Sequence, residues 1–226
     1  MAAVLEDLPP LVEEIQETHQ QETRQSERPL KRLFTLEEFA RIVDALPDDR
    51  LELIKGQIIM APPPDFPHIK QTIKIENLLA KHWVDFEKLG CQIAGSSAWY
   101  ALPRELAQQW VDADEEGPDH VCPDASVCFA DYLYTNRCPP ALLVIEIVSV
   151  SSRSAINRDL VSKPEIYATL KIPAYWVIDR RDKSVLVHTG PENGQYASRI
   201  QYKGQQRLPA PGIEFLNITP AQILGE

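Results

Sequence analysis

Apolar positions in this chain follow two rhythms, a three-to-four-residue repeat in the first half and short continuous runs in the second. Thr35-Leu36-Glu37-Glu38 reads as a capping box opening a helix whose apolar face is Leu36, Phe39, Ile42, Val43 and Leu46, with Pro47 closing it. Leu51 to Met60 reads as a hairpin turning at Lys55-Gly56, ended by the prolines at 62 to 64. His68 then opens a long predicted helix with Ile69, Ile73, Ile75, Leu78, Leu79, Trp83 and Phe86 on its apolar face, and Gly90 follows its last turn. From Gln92 onward the rhythm is that of strands: Gln92 to Leu102, Val121 to Phe129, Ala141 to Val150, Ala174 to Asp179, Ser184 to His188 and Tyr196 to Tyr202. A helix from about Arg158 to Leu170 interrupts them, with Pro164 near its first turn or at a kink, and a late-packing tail at 212–218 ends in a short helix. The order predicts an α/β fold with a central mixed sheet flanked by helices, plus hairpin additions.

Ala141 to Val150 is a β-branched, apolar run with one carboxylate, Glu146, in its middle. Such a strand belongs in a sheet covered on both faces, where Val144, Glu146 and Val148 share one side and Leu143, Ile145 and Ile147 the other. A lone buried carboxylate is costly unless it is paired or holds a cation. Asp124 stands just after Pro123 at the start of a neighbouring strand, and Lys163 lies on the helix that follows Glu146, placed to reach back over the strand end. A structural ion pair is one outcome; a two-carboxylate site for a divalent cation is the other, since Mg²⁺ or Mn²⁺ takes a few carboxylate oxygens and keeps several waters. On the long helix, Lys70, Lys74 and Lys81 fall on the outer side, either as a phosphate-tracking stripe or as a solvated face.

With 226 residues, 44% apolar and 25% charged, the chain has ample material for a core. Its net charge of −10 argues against a protein that coats nucleic acid non-specifically, though not against a nuclease whose carboxylates are offset by metal. The four cysteines have no C-x-x-C spacing, so Cys122 and Cys128 are expected as buried thiols in a reducing cytoplasm. No run is long enough for a membrane span. Residues 1–32, rich in Glu, Gln, Pro and Arg, read as a flexible or partner-bound extension before a folded unit at 33–226. The acidic stretch 112–119 is expected to be solvated.

Pro123-Asp124 followed by Glu146 in an apolar strand resembles the PD-(D/E)XK nuclease superfamily. The wider pattern is similar to the Uma2 family (DUF820), restriction-endonuclease-like proteins common in cyanobacteria. It runs through Leu51-Glu52-Leu53-Ile54-x-Gly56, His68, Pro123-Asp124, Val144-Ile145-Glu146-Ile147-Val148-Ser149, Arg158-Asp159-Leu160-x-x-Lys163-x-x-x-Tyr167 and Ile172-Pro173-x-Tyr175-Trp176-Val177-Ile178-Asp179. The superfamily lysine usually stands two residues after the second acid; Val148 is there, and Lys163 holds the displaced position.

The resemblance implies a restriction-endonuclease-like core and a Mg²⁺- or Mn²⁺-dependent DNA endonuclease acting as a homodimer. It assigns Asp124, Glu146 and the Ile147 carbonyl as metal ligands and Lys163 as the residue that orients water or stabilises charge. Glu52 is either a further acid or a strand-surface carboxylate, and His68 either binds phosphate or caps its helix. Asp159 is expected to fix the helix or pair with an arginine, and Tyr167 and Trp176 to be core. The alternatives are a catalytically inactive nuclease fold that binds DNA or a protein partner, and a metal hydrolase for another phosphate ester.

Overall fold

Thr35 caps the first helix as its sequence dictates: its hydroxyl accepts from the Glu38 N–H while the Glu38 carboxylate accepts from the Thr35 N–H. The structure is a computed structural model describing residues 33–46, 50–60, 64–95, 100, 101, 120–130, 140–148 and 158–225, without the side chains of Leu36 and Ala101. The extension at 1–32, the acidic stretch at 112–119, Pro47 and Cys138 lie outside the described residues.

Helix α1 spans Leu36–Ala45. Strands β1 (Leu51–Ile54) and β2 (Gln57–Met60) form the expected hairpin. Lys55 and Gly56 both take positive φ (49° and 69°), the geometry of a turn that matches strand twist. In β1, Leu51 and Leu53 pack with Phe39 of α1, so Glu52 and Ile54 point the other way, into the body of the protein.

The helix expected to open at His68 begins at Phe66. Asp65 is its N-cap, accepting from the His68 N–H, and Pro67 sits in the first turn, where its missing N–H costs nothing. It is also two helices, α2 (Phe66–Ala80) and α3 (Trp83–Lys88), broken at Lys81-His82. The buried face of α2 is Gln71, Ile75 and Leu79, while Ile69, Ile73 and, on α3, Trp83 are exposed. Gln71 is the position that apolar periodicity overlooked: its amide is buried because it donates to the Ile223 carbonyl at 2.7 Å.

Two sheets divide the strands. The smaller has the order β2-β1-β5-β4, where β4 is Tyr100–Ala101 and β5 is His120–Val121. The larger has the order β10-β9-β8-β7-β6-β3, where β3 is Cys91–Gly95, β6 Ala125–Phe129, β7 Ala141–Ile147, β8 Ala174–Asp179, β9 Ser184–Glu192 and β10 Gln195–Lys203. The β7–β8 pair is parallel and the other pairs are antiparallel, a mixed sheet. Two expected strands are therefore each split between sheets: 92–102 into β3 and β4, and 121–129 into β5 and β6. At Cys122-Pro123-Asp124 the chain crosses from one sheet to the other, and Pro123, with no N–H to give a ladder, suits the crossing.

A wide π-type turn, Arg158–Ser162, runs directly into α4 (Lys163–Thr169), with Pro164 in its first α turn. In a continuous α-helix the Pro164 ring would meet the carbonyl four residues back; the wider turn relieves that clash. Helix α5 (Pro220–Leu224) closes the chain with a second capping box, Thr219 and Gln222. Among the described residues no helix is long and apolar enough to cross a membrane.

The alternation along β7 separates two cores. Leu143, Ile145 and Ile147 pack with Ile75 and Leu79 of α2 and Ile223 of α5; Val144 and Val148 pack with Leu160, Tyr167 and Tyr175. Leu143 is fully buried, so Leu143→Ala is expected to cost about 3 kcal/mol in urea-induced unfolding with an unchanged m-value; a loss below about 1 kcal/mol would contradict this packing.

Candidate active site

On the Val144–Val148 side of β7, a buried ammonium gathers carboxylates from three elements. Lys163 Nζ, at the start of α4, lies 2.6 Å from Glu146 Oε1, 3.0 Å from Glu52 Oε1 and 3.7 Å from Asp159 Oδ1. The Tyr167 hydroxyl, one helical turn on, donates to the same Glu146 oxygen at 3.0 Å. Glu52 Oε1 also accepts from the Cys122 N–H at 3.0 Å, while Arg158 Nε sits 3.4 Å from Glu52 Oε2 and donates to Asp159 Oδ1 at 3.0 Å. Lys163, Glu52 and Asp159 are each 1% exposed, and Glu146 3%. Both hydrogen bonds to Glu146 fall on Oε1, so among the described residues its Oε2 has no donor.

Asp124 stands beside this cluster at the sheet crossing. Its N–H donates to the Ile145 carbonyl at 3.1 Å and its Oδ2 accepts from the Ile147 N–H at 2.8 Å, so β7 fixes the carboxylate at both ends. Its Oδ1 faces His68 Nε2 at 3.0 Å and Arg50 Nη2 at 3.5 Å; that guanidinium also donates to the Cys122 carbonyl at 3.0 Å.

Burial and charge act on the acids in opposite ways. Burial would raise Asp124, but His68, Arg50 and the Ile147 N–H outweigh it and hold the carboxyl below its ordinary value. Burial also works against Glu52, where Lys163, Arg158 and the Cys122 N–H likewise prevail. Glu146 goes the other way: burial, helped by Asp124, Asp159 and Glu52, overcomes Lys163 and pushes it up to about 8. Before His68 is counted, four carboxylates (Glu52, Asp124, Glu146, Asp159) face three cations (Arg50, Arg158, Lys163), and the surplus negative charge is met by a proton on Glu146. Burial pulls Lys163 down, but Glu146, Glu52 and Asp159 hold it well above its ordinary value, so the amine is an ammonium at neutral pH. Burial pushes the neighbouring Cys122 thiol up to about 12, which keeps it protonated.

The structure thus brings Asp124, Glu146, Lys163, Glu52 and the Ile147 backbone together. The surface alternative for Glu52 does not hold, because β1 turns it inward. The cap alternative for His68 does not hold either: Asp65 caps α2, and the imidazole reaches Asp124. Asp159 pairs with Arg158 as expected. Trp176 is core, its indole donating to the Pro209 carbonyl, but Tyr167 is more than core, since its hydroxyl holds Glu146. Lys70 is exposed and Lys74 partly so; neither forms an ion pair with the site among the described residues, and Lys74 Nζ instead lies against Gly225. Sequence reasoning missed Arg50. It precedes β1 and carries no periodic signal, and only the crossing of the two sheets sets it against Asp124.

Chemically, the site offers hard oxygen donors. Asp124 is ionised, Glu146 has an oxygen without a donor, and the Ile147 carbonyl lies on the same strand end. Among the described residues no group of three or more His, Cys, Asp or Glu converges as a cage. Two carboxylates, a carbonyl and water fit a hydrated hard cation of the Mg²⁺ or Mn²⁺ type better than zinc. A cation there would replace the proton on Glu146 in balancing the surplus charge.

Glu146 binds its proton more tightly in the folded chain, at about 8, than in the unfolded chain, where a solvated carboxyl has its ordinary 4.5, so its contribution to stability is full below 4.5 and is lost as pH rises through 8. In EDTA, the stability of Glu146→Gln relative to the native chain is therefore expected to increase from about pH 5 to about pH 8 and then level off, measured by urea unfolding. A difference that stays flat across that window would place the proton elsewhere.

No curated protein matches the chain. Among solved structures it is similar to the crystal structure of a putative nuclease belonging to DUF820 from Anabaena variabilis ATCC 29413 at 1.96 Å resolution, with 18% sequence identity and a TM-score of 0.61 over 85% of this chain and 98% of that one. At that identity the likeness establishes a shared fold. The Uma2 family, described as putative restriction endonuclease, matches residues 36–221, which takes in every residue of the cluster. On that match the chain belongs to the Uma2 family.

Proposed function

We propose that this protein is a Mg²⁺- or Mn²⁺-dependent DNA endonuclease that hydrolyses phosphodiester bonds. The observation that carries the reading is the convergence of Asp124, Glu146 and a charged Lys163 at one end of β7, within a chain of the Uma2 family. Asp124, Glu146 and the Ile147 carbonyl would hold the cation. When bound, such a cation lowers the pKa of water and offsets charge on a phosphate.

The chain's own residues supply the rest. His68 and Arg50 fix Asp124 Oδ1, so the carboxylate presents itself in one orientation. Tyr167 and Lys163 fix Glu146, and Glu52 with Asp159 keeps the ammonium in place. Because Lys163 is protonated, its role is to donate a hydrogen bond and stabilise the charge that grows on the phosphate, not to remove a proton from water. On α2, Lys70 and Lys74 would supply positive charge toward a DNA backbone, with His68 at the start of the helix as a further contact. A homodimer belongs to this reading, because two sites related by a two-fold axis cut both strands of a duplex.

One observation favours a second reading, a nuclease fold without catalysis. The Lys163 ammonium is buried among protein carboxylates, and Val148 stands where the superfamily lysine usually lies. Incubation of supercoiled plasmid with the protein and Mg²⁺ or Mn²⁺ decides between them. Asp124→Asn, Glu146→Gln and Lys163→Met are each expected to slow cleavage by at least about 100-fold while the isosteric pair keep the fold. Cleavage that survives all three changes removes the site assignment. Absence of cleavage in the native chain, with no heat on titrating Mn²⁺ into it, favours the non-catalytic reading.

A further inference from the structure

Against the turn that carries Asp159 and the start of α4 lies a cavity of about 430 Å³, which the nuclease reading does not use. One wall is Leu160, Val161, Pro164 and Glu165; the other comes from the β9–β10 ribbon, with His188, Gln195, Tyr196, Ala197 and Arg199. Its size falls toward the lower end of the roughly 300–1,000 Å³ of small-molecule sites.

Two of its polar groups are unspent. His188 is 2% exposed, and its Nε2 is buried with no hydrogen-bond partner among the described residues. Burial, with Arg199 nearby, pushes this imidazole down to about 3, so at neutral pH the ring is neutral and its Nε2 is left unused. The ring packs between Tyr175 and Tyr196, with centroids at 5.3 Å and 5.5 Å. Leaving such a group unsatisfied costs about 1–3 kcal/mol. Arg199 stands directly across the ladder from His188 and makes no ion pair or hydrogen bond among the described residues. The carboxylate in the lining, Glu165, is already engaged by Lys55 at 3.0 Å. The cavity therefore has a buried imidazole with an unused Nε2, an exposed arginine at Arg199 with no acidic partner among the described residues, and an exposed side-chain amide at Gln195.

We infer that this cavity is a binding site for a small molecule bearing an oxyanion, a phosphate or carboxylate of mononucleotide size or less, with Arg199 as its charge partner and His188 as its hydrogen-bonding floor. An arginine fork suits planar or tetrahedral oxyanions, and the imidazole supplies a donor that needs no change of protonation. The site lies back to back with the carboxylate cluster across the π-type turn, and it stands or falls independently of nuclease activity.

The test is nuclear magnetic resonance of the histidine side-chain nitrogens in the ¹⁵N-labelled chain, titrated separately with inorganic phosphate, acetate and deoxyadenosine 5′-monophosphate. His188 is assigned by its loss in His188→Gln. At least one probe is expected to shift the His188 nitrogens saturably below about 10 mM, with affinity reduced at least about 10-fold in Arg199→Ala. The three probes separate a free phosphate, a carboxylate and a nucleotide as the source of the anion. Ala197→Phe, which narrows the cavity and leaves both polar groups in place, is expected to give the same loss and covers the case in which Arg199→Ala does not fold. No shift at His188 with any probe to about 20 mM, or a shift unchanged in both variants, would overturn the inference and leave a water-filled cavity.

Discussion

The structure turns on one buried cation. Lys163 places its ammonium between Glu52 of the smaller sheet and Glu146 of the larger one, so the two sheets meet across a charge rather than across apolar surface alone. Removing a lysine from water is expensive, and only close carboxylates offset that cost. Each member in turn depends on the others: without Lys163, Glu52 would keep only Arg158 and the Cys122 N–H, and Glu146 only the Tyr167 hydroxyl. A geometry so over-determined can hold functional groups in fixed positions, which is what preorganised electrostatic chemistry requires. The unusual backbone serves the same end, since the π-type turn before Pro164 sets Asp159 and Lys163 toward one point.

Two acids separated by a short reach of β7 end in opposite states. Asp124 is anchored by the Ile145 carbonyl and the Ile147 N–H of β7 and flanked by His68 and Arg50, which hold its carboxyl below its ordinary value; Glu146, equally buried but among like charges, is pushed up. Environments that drive paired carboxyls apart in this way are typical of sites that handle charge. The same imbalance gives the cluster an affinity for added positive charge, from a proton or from a cation.

Much of this was legible beforehand. The capping box at Thr35, the Lys55-Gly56 hairpin and the alternation that puts Glu146 opposite Leu143, Ile145 and Ile147 all follow from local rules: cap chemistry, turn φ and the two-residue strand period. The resemblance to Uma2, carried by short motifs in a fixed order, rested on those same positions. Failures came where a run of apolar residues was long enough to look like one element. Residues 66–88 look like one helix and 121–129 like one strand, yet each breaks, because the break is decided by what the two halves pack against. Gln71 went unread and Glu52 stayed open between two readings for the related reason that a polar residue can be buried when a partner from far along the chain satisfies it.

The amino-acid sequence by itself therefore determined the type of most elements, the face of the β7 strand and Glu146 as a costly carboxylate, since these depend on neighbours a few residues away. Only the tertiary structure decided which charges meet. Arg50 and Asp124, His68 and Asp124, and Glu52 and Lys163 are brought together by the crossing of two sheets at Pro123 and by a turn that aims one lysine inward. Those are long-range constraints, and no local pattern encodes them.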